Sequence, residues 1–261
     1  MNRYENRRVI VTGAGSGIGQ ATVLRMLQEG GRVVAADVSA PGLEDTVRAA
    51  GAAAERLHTV QIDVSDEGSV QSGVAQAVQW LGGLDALVNA AGILRSAHTE
   101  QMSTEAFETI LRVNLVGTFQ MIRESLAHLR GGDQPSVVNF SSTSAVFAHP
   151  YMAAYAASKG GIQSMTHALA AEYAKDNIRF TAVQPGSIAS GMTDGSGASG
   201  QSKGPGLPED ADMSLFAKLA PALGQGFAGP DSVANVVALL ASAEGYFITG
   251  TEVRIDGGTH Y

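Results

Sequence analysis

Short apolar runs rich in β-branched residues recur along this chain with helical stretches between them, and that alternation restricts the fold more than any other feature. The runs are Arg8–Thr12, Arg32–Asp37, Leu57–Asp63, Leu84–Asn89, Ser136–Ser141, Ile178–Gln184 and Glu252–Asp256. Several lack polar alternation, as in Val33-Val34-Ala35-Ala36 and Leu87-Val88, the pattern of strands covered on both faces. Between them apolar residues repeat at the helical period: Val70, Val74, Val78 and Leu81 make one stripe, and Val233, Val236, Val237 and Leu240 another. Ser65 before Asp66-Glu67, Ser103 before Thr104-Glu105, and Gly229 before Pro230-Asp231 mark helix starts. Strands that alternate with helices pair in parallel through right-handed crossovers, which places helices on both faces of the sheet. The expected fold is α/β: one domain with a doubly wound parallel sheet of seven strands.

Composition removes whole classes of function. A net charge of −8 argues against nucleic acid and against an anionic membrane surface, both of which need a basic face. Zero cysteines exclude disulfides, thiolate metal sites and Cys nucleophiles. The six histidines form no H-E-x-x-H and no close pair, so no metal is expected. No apolar run approaches the roughly 20 residues of a membrane-spanning helix, and a strand rather than a secretory signal begins at Arg8. The expected location is the cytoplasm. Hydrophobic residues reach 44% and charged residues only 16%, against roughly 25% charged in an average domain. That balance points to a large core and to surface covered by further copies of the chain, a homo-oligomer.

The segment Gly191–Gln225 stands apart. Its first half is Gly- and Ser-rich, and its second half carries Met213, Leu215, Phe216, Leu219 and Leu223 at spacings that fit an amphipathic helix starting near Pro208-Glu209-Asp210. It leaves the sixth strand on the side where such sheets bind ligands. The expectation is a lid with Met192 near its hinge, closing an apolar wall over a substrate. Asp194, Glu209, Asp210 and Asp212 within it read as solvated charge.

Directly after the first strand comes Thr12-Gly13-Ala14-Gly15-Ser16-Gly17-Ile18-Gly19, leading into a helix. A strand, a glycine turn and a helix in this order either make a tight turn or aim backbone N–H groups and the positive helix end at a phosphate. Asp37 ends the second strand 24 residues after Gly13, close to the roughly 20-residue offset at which a carboxylate binds an adenosine ribose. Ser16 and Val38 offer no positive charge to offset Asp37 against a 2′-phosphate. The cofactor expected is therefore NAD, not NADP.

Tyr155 and Lys159 lie four residues apart in an alanine-rich stretch, one turn apart on the same helix face. An ammonium beside a phenol favours the phenolate and lowers its pKa, which makes a tyrosine usable as an acid/base near neutral pH. Ser141-Ser142-Thr143-Ser144 closes the fifth strand, where hydroxyls can bond a carbonyl or alcohol, or simply make a turn. Asn114 shares a face with Phe107, Leu111 and Met121; an amide there is either core polar glue or a link in a proton path. His98 and His149 each follow a strand end. They are either solvated loop residues or substrate contacts.

These residues together resemble the short-chain dehydrogenase/reductase family, single-domain Rossmann enzymes. The likeness runs from Val9 to Gly258 through Thr12-Gly13, Gly17-Ile18-Gly19, Asp63-Val64, Asn89-Ala90-Ala91-Gly92, Asn114, Ser142, Tyr155, Lys159, Pro185-Gly186 and Asp256-Gly257-Gly258. The 13-residue gap from Ser142 to Tyr155 is the family's usual one. The resemblance implies Tyr155 as acid/base and Lys159 as the group that lowers its pKa and holds the nicotinamide ribose. It implies Ser142 orienting the substrate oxygen and Asn114 holding a water that relays protons toward Lys159. Gly13, Ser16, Gly17, Ile18, Gly19 and Asp37 would hold the nucleotide, with Asp63 and Val64 flanking the adenine. Asn89, Ala90 and Gly92 would line the cofactor groove, and Pro185, Gly186, Ile188 and Ser190 the nicotinamide end. Two positions depart from the family pattern: Ala90 replaces a frequent asparagine, and Ser190 replaces a threonine but keeps its hydroxyl. The implied activity is NAD(H)-dependent interconversion of a secondary alcohol and a ketone, in a tetramer. A 3-oxoacyl-(acyl-carrier-protein) reductase and a non-catalytic NAD(H) sensor are the alternatives.

Overall fold

In the computed structural model, which describes residues 2–194, 206–224 and 226–260, all seven apolar runs form strands. These are β1 (Arg8–Thr12), β2 (Arg32–Asp37), β3 (Leu57–Gln61), β4 (Ala86–Asn89), β5 (Ser136–Phe140), β6 (Arg179–Pro185) and β7 (Thr251–Ile255). The helices between them are α1 (Gly17–Gln28), α2 (Ala40–Ala50), α3 (Glu67–Leu81), α4 (Thr104–Leu111), α5 (Gly117–Leu129), α6 (Ala153–Glu172), the one-turn α7 (Gly191–Asp194) and α8 (Asp231–Leu240). The strands join one parallel sheet in the order β3-β2-β1-β4-β5-β6-β7. Strand order reverses between β1 and β4, which opens a crevice at their C-terminal ends.

Both sheet faces are buried, and this explains the missing alternation in the sequence. Val9 and Val11 of β1 pack into a layer with Val23, Met26 and Leu27 of α1 and Val233 and Val237 of α8. Ile10 joins the opposite layer with Val70, Val74 and Leu81 of α3 and Met121 and Ile122 of α5. Each such side chain contributes about 1.5–3 kcal/mol on burial. At the N-terminal end of the sheet two guanidiniums close the end of α8. Arg179 donates to the carbonyls of Leu240 (2.8 Å) and Ser242 (3.0 Å), and Arg7 to that of Ala241 (2.8 Å). These bonds satisfy carbonyls that the helix leaves without partners.

Local chemistry moves several boundaries. The third strand stops at Gln61, not Asp63, because the Asp63 carboxylate turns back to accept the Ser65 N–H (2.9 Å) and hydroxyl (2.6 Å). With Ser65 so engaged, Asp66 caps α3 instead, accepting the Ser69 N–H at 2.6 Å. Ser103 caps α4 as expected, accepting the Ala106 N–H at 3.2 Å. At α8 the cap position is Pro230, one residue after Gly229. The short amphipathic helix expected to start near Pro208 is not formed. A 3₁₀ turn over Met213–Leu219 replaces it, capped by Asp212 through the Ser214 N–H at 2.9 Å. Pro221 cannot continue a helix. The Gly-Ser-rich first half of the segment, residues 195–205, and Gln225 lie outside the described residues. Among the described residues no helix is long and apolar enough to cross a membrane.

Candidate active site

A cavity of about 740 Å³ runs along the C-terminal ends of the strands. At one end of it lies the glycine turn after β1. Gly13 and Gly17 adopt φ +66° and +53°, values that side chains rarely tolerate. A Cβ on Gly13 would sit 2.7 Å from the Ala91 nitrogen, and one on Gly19 would collide with the Gly13 carbonyl oxygen. The two strand ends and the helix therefore approach as closely as backbone allows. Ser16 caps α1 but its side chain accepts no hydrogen bond, so the first-turn N–H groups keep their capacity for an anion at the positive helix end. A dinucleotide's pyrophosphate fits that cradle.

Gly13, Ser16, Gly17, Ile18 and Gly19 line the cavity, as do Asp37, Asp63, Val64, Ala90 and Gly92. The Asp37 carboxylate accepts the Gly15 N–H and the Ser39 N–H, each at 2.8 Å. Its two anchors hold it at the rim and leave lone pairs for a ligand. Asn89 departs from expectation: it does not line the cavity. Its amide, only 2% exposed, donates to Asn139 Oδ1 at 2.9 Å, and Asn139 donates to Thr166 Oγ1 at 3.0 Å. Paired in register with Thr12 and Asn139, Asn89 instead ties β4 through β5 to α6.

At the other end of the cavity Ser142, Tyr155 and Lys159 meet. The Ser142 hydroxyl stands near enough to the Tyr155 phenol to lower its pKa, and Ser142 Oγ accepts the Ser144 N–H at 3.2 Å. Lys159 Nζ lies 5.5 Å from the centre of the Tyr155 ring and donates to the Phe140 carbonyl at 2.7 Å. The tyrosine pKa, expected to be lowered by its lysine, is instead raised. Burial pushes the Tyr155 phenol up to about 12, with the Ser142 hydroxyl opposing it, and burial pushes Lys159 down to about 8. Desolvation disfavours the charged form of each group and is the largest influence on both.

Asn114 is fully buried in a π-helical segment, Arg112–Val116, that joins α4 to α5. It too stands behind the wall and does not line the cavity. Its Oδ1 accepts the Ile93 N–H at 2.8 Å, and its Nδ2 donates to the Ile93 carbonyl and to Ser158 Oγ, both at 3.0 Å. The side chain is thereby committed to protein partners and ties the loop after β4 to α6.

Pro185, Gly186, Ile188 and Ser190 complete the cavity between the two ends. Gly186 is required because a Cβ there would lie 2.7 Å from Asp256 Cβ. Over the far side lie Leu207, Met213, Phe216 and Leu219, with Met192 at the start of the segment. Sequence reasoning missed what fastens them. Tyr151, at φ +64°, stacks on Phe216 with ring centres 6.1 Å apart and accepts the Asp212 N–H at 2.9 Å. His98 pairs with Asp210 at 2.8 Å. Two of the acids read as solvated charge are thus anchors. Of the two loop histidines, His149 lines the cavity and His98 does not.

The family model described as short chain dehydrogenase matches residues 7–199. A 3-oxoacyl-[acyl-carrier-protein] reductase of Thermotoga maritima is 36% identical, over 98% of each chain. A 3beta-hydroxysteroid dehydrogenase of Eggerthella lenta is 34% identical, over 97% of this chain and 94% of its own length. The crystal structure of a dehydrogenase/reductase from Sinorhizobium meliloti superimposes with a TM-score of 0.86 at 29% identity, covering 100% of this chain and 98% of that one.

Proposed function

The chain belongs to the short-chain dehydrogenase family, and on that premise we propose that it is an NAD(H)-dependent oxidoreductase interconverting a secondary alcohol and a ketone. One observation carries the reading: Ser142, Tyr155 and Lys159 share a single cavity with the glycine turn and Asp37. Members of this family use NAD(P), and Asp37 at the rim supports NAD within that pair, since its charge opposes a 2′-phosphate.

The nicotinamide supplies the site of hydride exchange. This chain's residues manage the oxygen. Ser142 Oγ and the Tyr155 hydroxyl, which line the same end of the cavity, would both bond the substrate oxygen and fix its carbon in place. In the reducing direction Tyr155 donates its proton to that oxygen as the carbon gains hydride; in the oxidising direction it takes the proton back. Lys159, beside it, stabilises the phenolate that forms. Asn114 acts at one remove, by fixing Ile93 and Ser158 around the lysine. The segment 207–219, through Leu207, Met213, Phe216 and Leu219 at the cavity, would exclude water from the step as a lid. A substrate panel followed by NADH formation at the nicotinamide absorbance tests the assignment. No NADH formed from any secondary alcohol, with NAD bound, would reject it.

The Thermotoga relative supports a second reading, reduction of a 3-oxoacyl thioester. Higher kcat/KM with a 3-oxoacyl thioester and NADPH than with any free ketone and NADH would select it. We further place the protein in the cytoplasm as one domain that assembles into a homo-oligomer, a tetramer. Phe247 and Tyr246, 90% and 71% exposed, support an interface near the sheet edge, because large exposed apolar patches favour association. Sedimentation equilibrium giving the mass of a single chain would refute the oligomer.

A further inference from the structure

One polar pair in the substrate end of the cavity has no part in the proposed reaction. Thr143 follows Ser142 directly, is 1% exposed, and lines the cavity together with His149. Its Oγ1 lies 3.2 Å from His149 Nε2 and 3.4 Å from the Pro185 carbonyl. Behind the pair, the C-terminal end of the chain holds it in place. The His260 ring stacks on Phe147 with centres 3.9 Å apart and lies 6.0 Å from the His149 ring. Asp256 anchors His260 by accepting its N–H at 3.2 Å. Burial and the facing His260 push His149 down to about 4, so its imidazole is neutral under physiological conditions.

The surroundings define what such a pair can recognise. Leu94, Met152, Met192, Leu207, Met213 and Phe216 give the same end of the cavity apolar walls. Among the described residues Lys159 is the one cation that lines the cavity, and it is bonded to the Phe140 carbonyl. Among the described residues an anionic substrate group would find no free counter-charge here. A wholly apolar substrate would cover the remaining hydroxyl lone pair and the second imidazole nitrogen without giving them a hydrogen bond, which is costly.

We infer that Thr143 and His149 form a second oxygen subsite, which binds a neutral hydroxyl or carbonyl a few bonds from the reacting carbon. The short reach follows from chain geometry, since adjacent Cα atoms are about 3.8 Å apart and Ser142 holds the reacting oxygen. The substrate class is then an otherwise apolar alcohol or ketone bearing a second uncharged oxygen. This deepens the proposed oxidoreductase reading and rests on it.

Binding to the NADH-loaded protein, in which an alcohol cannot be oxidised, tests the subsite. Saturation-transfer NMR titrations would compare cyclohexanol with cyclohexane-1,2-diol, 1,3-diol and 1,4-diol. At least one diol should bind about fivefold or more tighter than cyclohexanol, the net value of one hydrogen bond. In the double variant Thr143→Val, His149→Phe that ratio should fall to one or below. His149→Gln, which keeps a neutral hydrogen-bonding side chain, should retain a diol preference. Equal or absent binding of all four ligands to the wild type overturns the subsite, as does a diol preference that survives in the double variant. Selective diol binding without NADH formation from that diol and NAD would count against the reaction and for the subsite. Oxidation of cyclohexanol with no diol preference in binding would do the reverse.

Discussion

The two ends of the cavity are built from different materials. The nucleotide end, from Thr12 to Gly19 with Asp37, is made of backbone: glycine conformations, a helix start and strand ends locked by the sheet register. The substrate end, from 143 to 151 and from 207 to 221 with Phe227, is made of side chains on segments outside the sheet. Two glycines state the difference. Gly13 and Gly224 both have φ +66°, yet a Cβ on Gly13 would sit 2.7 Å from the Ala91 nitrogen while one on Gly224 meets nothing within 4 Å. Packing of distant chain segments fixes the first position; only the turn fixes the second. A nucleotide site of this kind admits little change, whereas the substrate site can be rebuilt one side chain at a time.

The chemistry shared by both ends gives the largest expected effect. Tyr155→Phe should lower kcat by roughly 10²–10⁴-fold through loss of proton transfer, while NADH affinity, read by fluorescence titration, stays close to wild type. Retention of more than about a tenth of kcat, against that expected loss, would move the acid/base elsewhere.

The glycine pair comes next. Gly13→Ala should cost about 2–5 kcal/mol, combining a left-handed backbone with overpacking. Gly224→Ala should cost about 1–2 kcal/mol from the backbone alone. Denaturant midpoints measure both, and equal losses would erase the distinction drawn between the two ends. At the nucleotide rim, Asp37 should favour NAD over NADP by roughly 5–150-fold in kcat/KM. Asp37→Ala combined with Val38→Arg should narrow that gap; an unchanged ratio would show that discrimination lies elsewhere.

The pH profiles should differ by direction of reaction. Burial raises the Tyr155 pKa, so below it the proton is held and only a small phenolate fraction exists. Alcohol oxidation needs that phenolate and should rise by up to about tenfold per pH unit from neutrality. The rise should flatten once Lys159, pushed down to about 8, loses the charge that stabilises the phenolate. Ketone reduction uses the protonated form and should not rise with pH. A rising reduction profile would contradict these roles. The smallest effect concerns the lid. Hydrogen exchange across Met213–Leu219 should slow in a ternary complex with NADH and a dead-end substrate analogue, and unchanged protection would mean the segment does not close.

Much of this architecture was legible because it depends on local spacing. All seven strands and the glycine turn fall where the apolar runs and glycines place them, and Ser103 caps α4 as its position before Thr104-Glu105 requires. The misreadings share a cause. Ser65 lost its cap role to Asp66 because Asp63 captured its hydroxyl and N–H. Asn89 looked like a groove residue but donates its amide to Asn139, whereas Asn114, open between core polar glue and a proton path, is bonded to Ile93 and Ser158 as glue would be. Asp210 and Asp212 looked idle until the fold set His98 and Tyr151 against them.

By itself the sequence determined the parallel doubly wound sheet, the phosphate-sized glycine turn and the Tyr155–Lys159 helix face. Each depends on residues a few positions apart, where backbone geometry allows few outcomes. Tertiary structure alone decided which polar side chains reach the cavity, how far burial moves the Tyr155 and Lys159 protons, and which loop residues enclose the substrate. Those depend on desolvation and on distant partners, such as Asn114 with Ser158, 44 positions away, and His98 with Asp210, 112 positions away, and linear spacing does not encode such encounters.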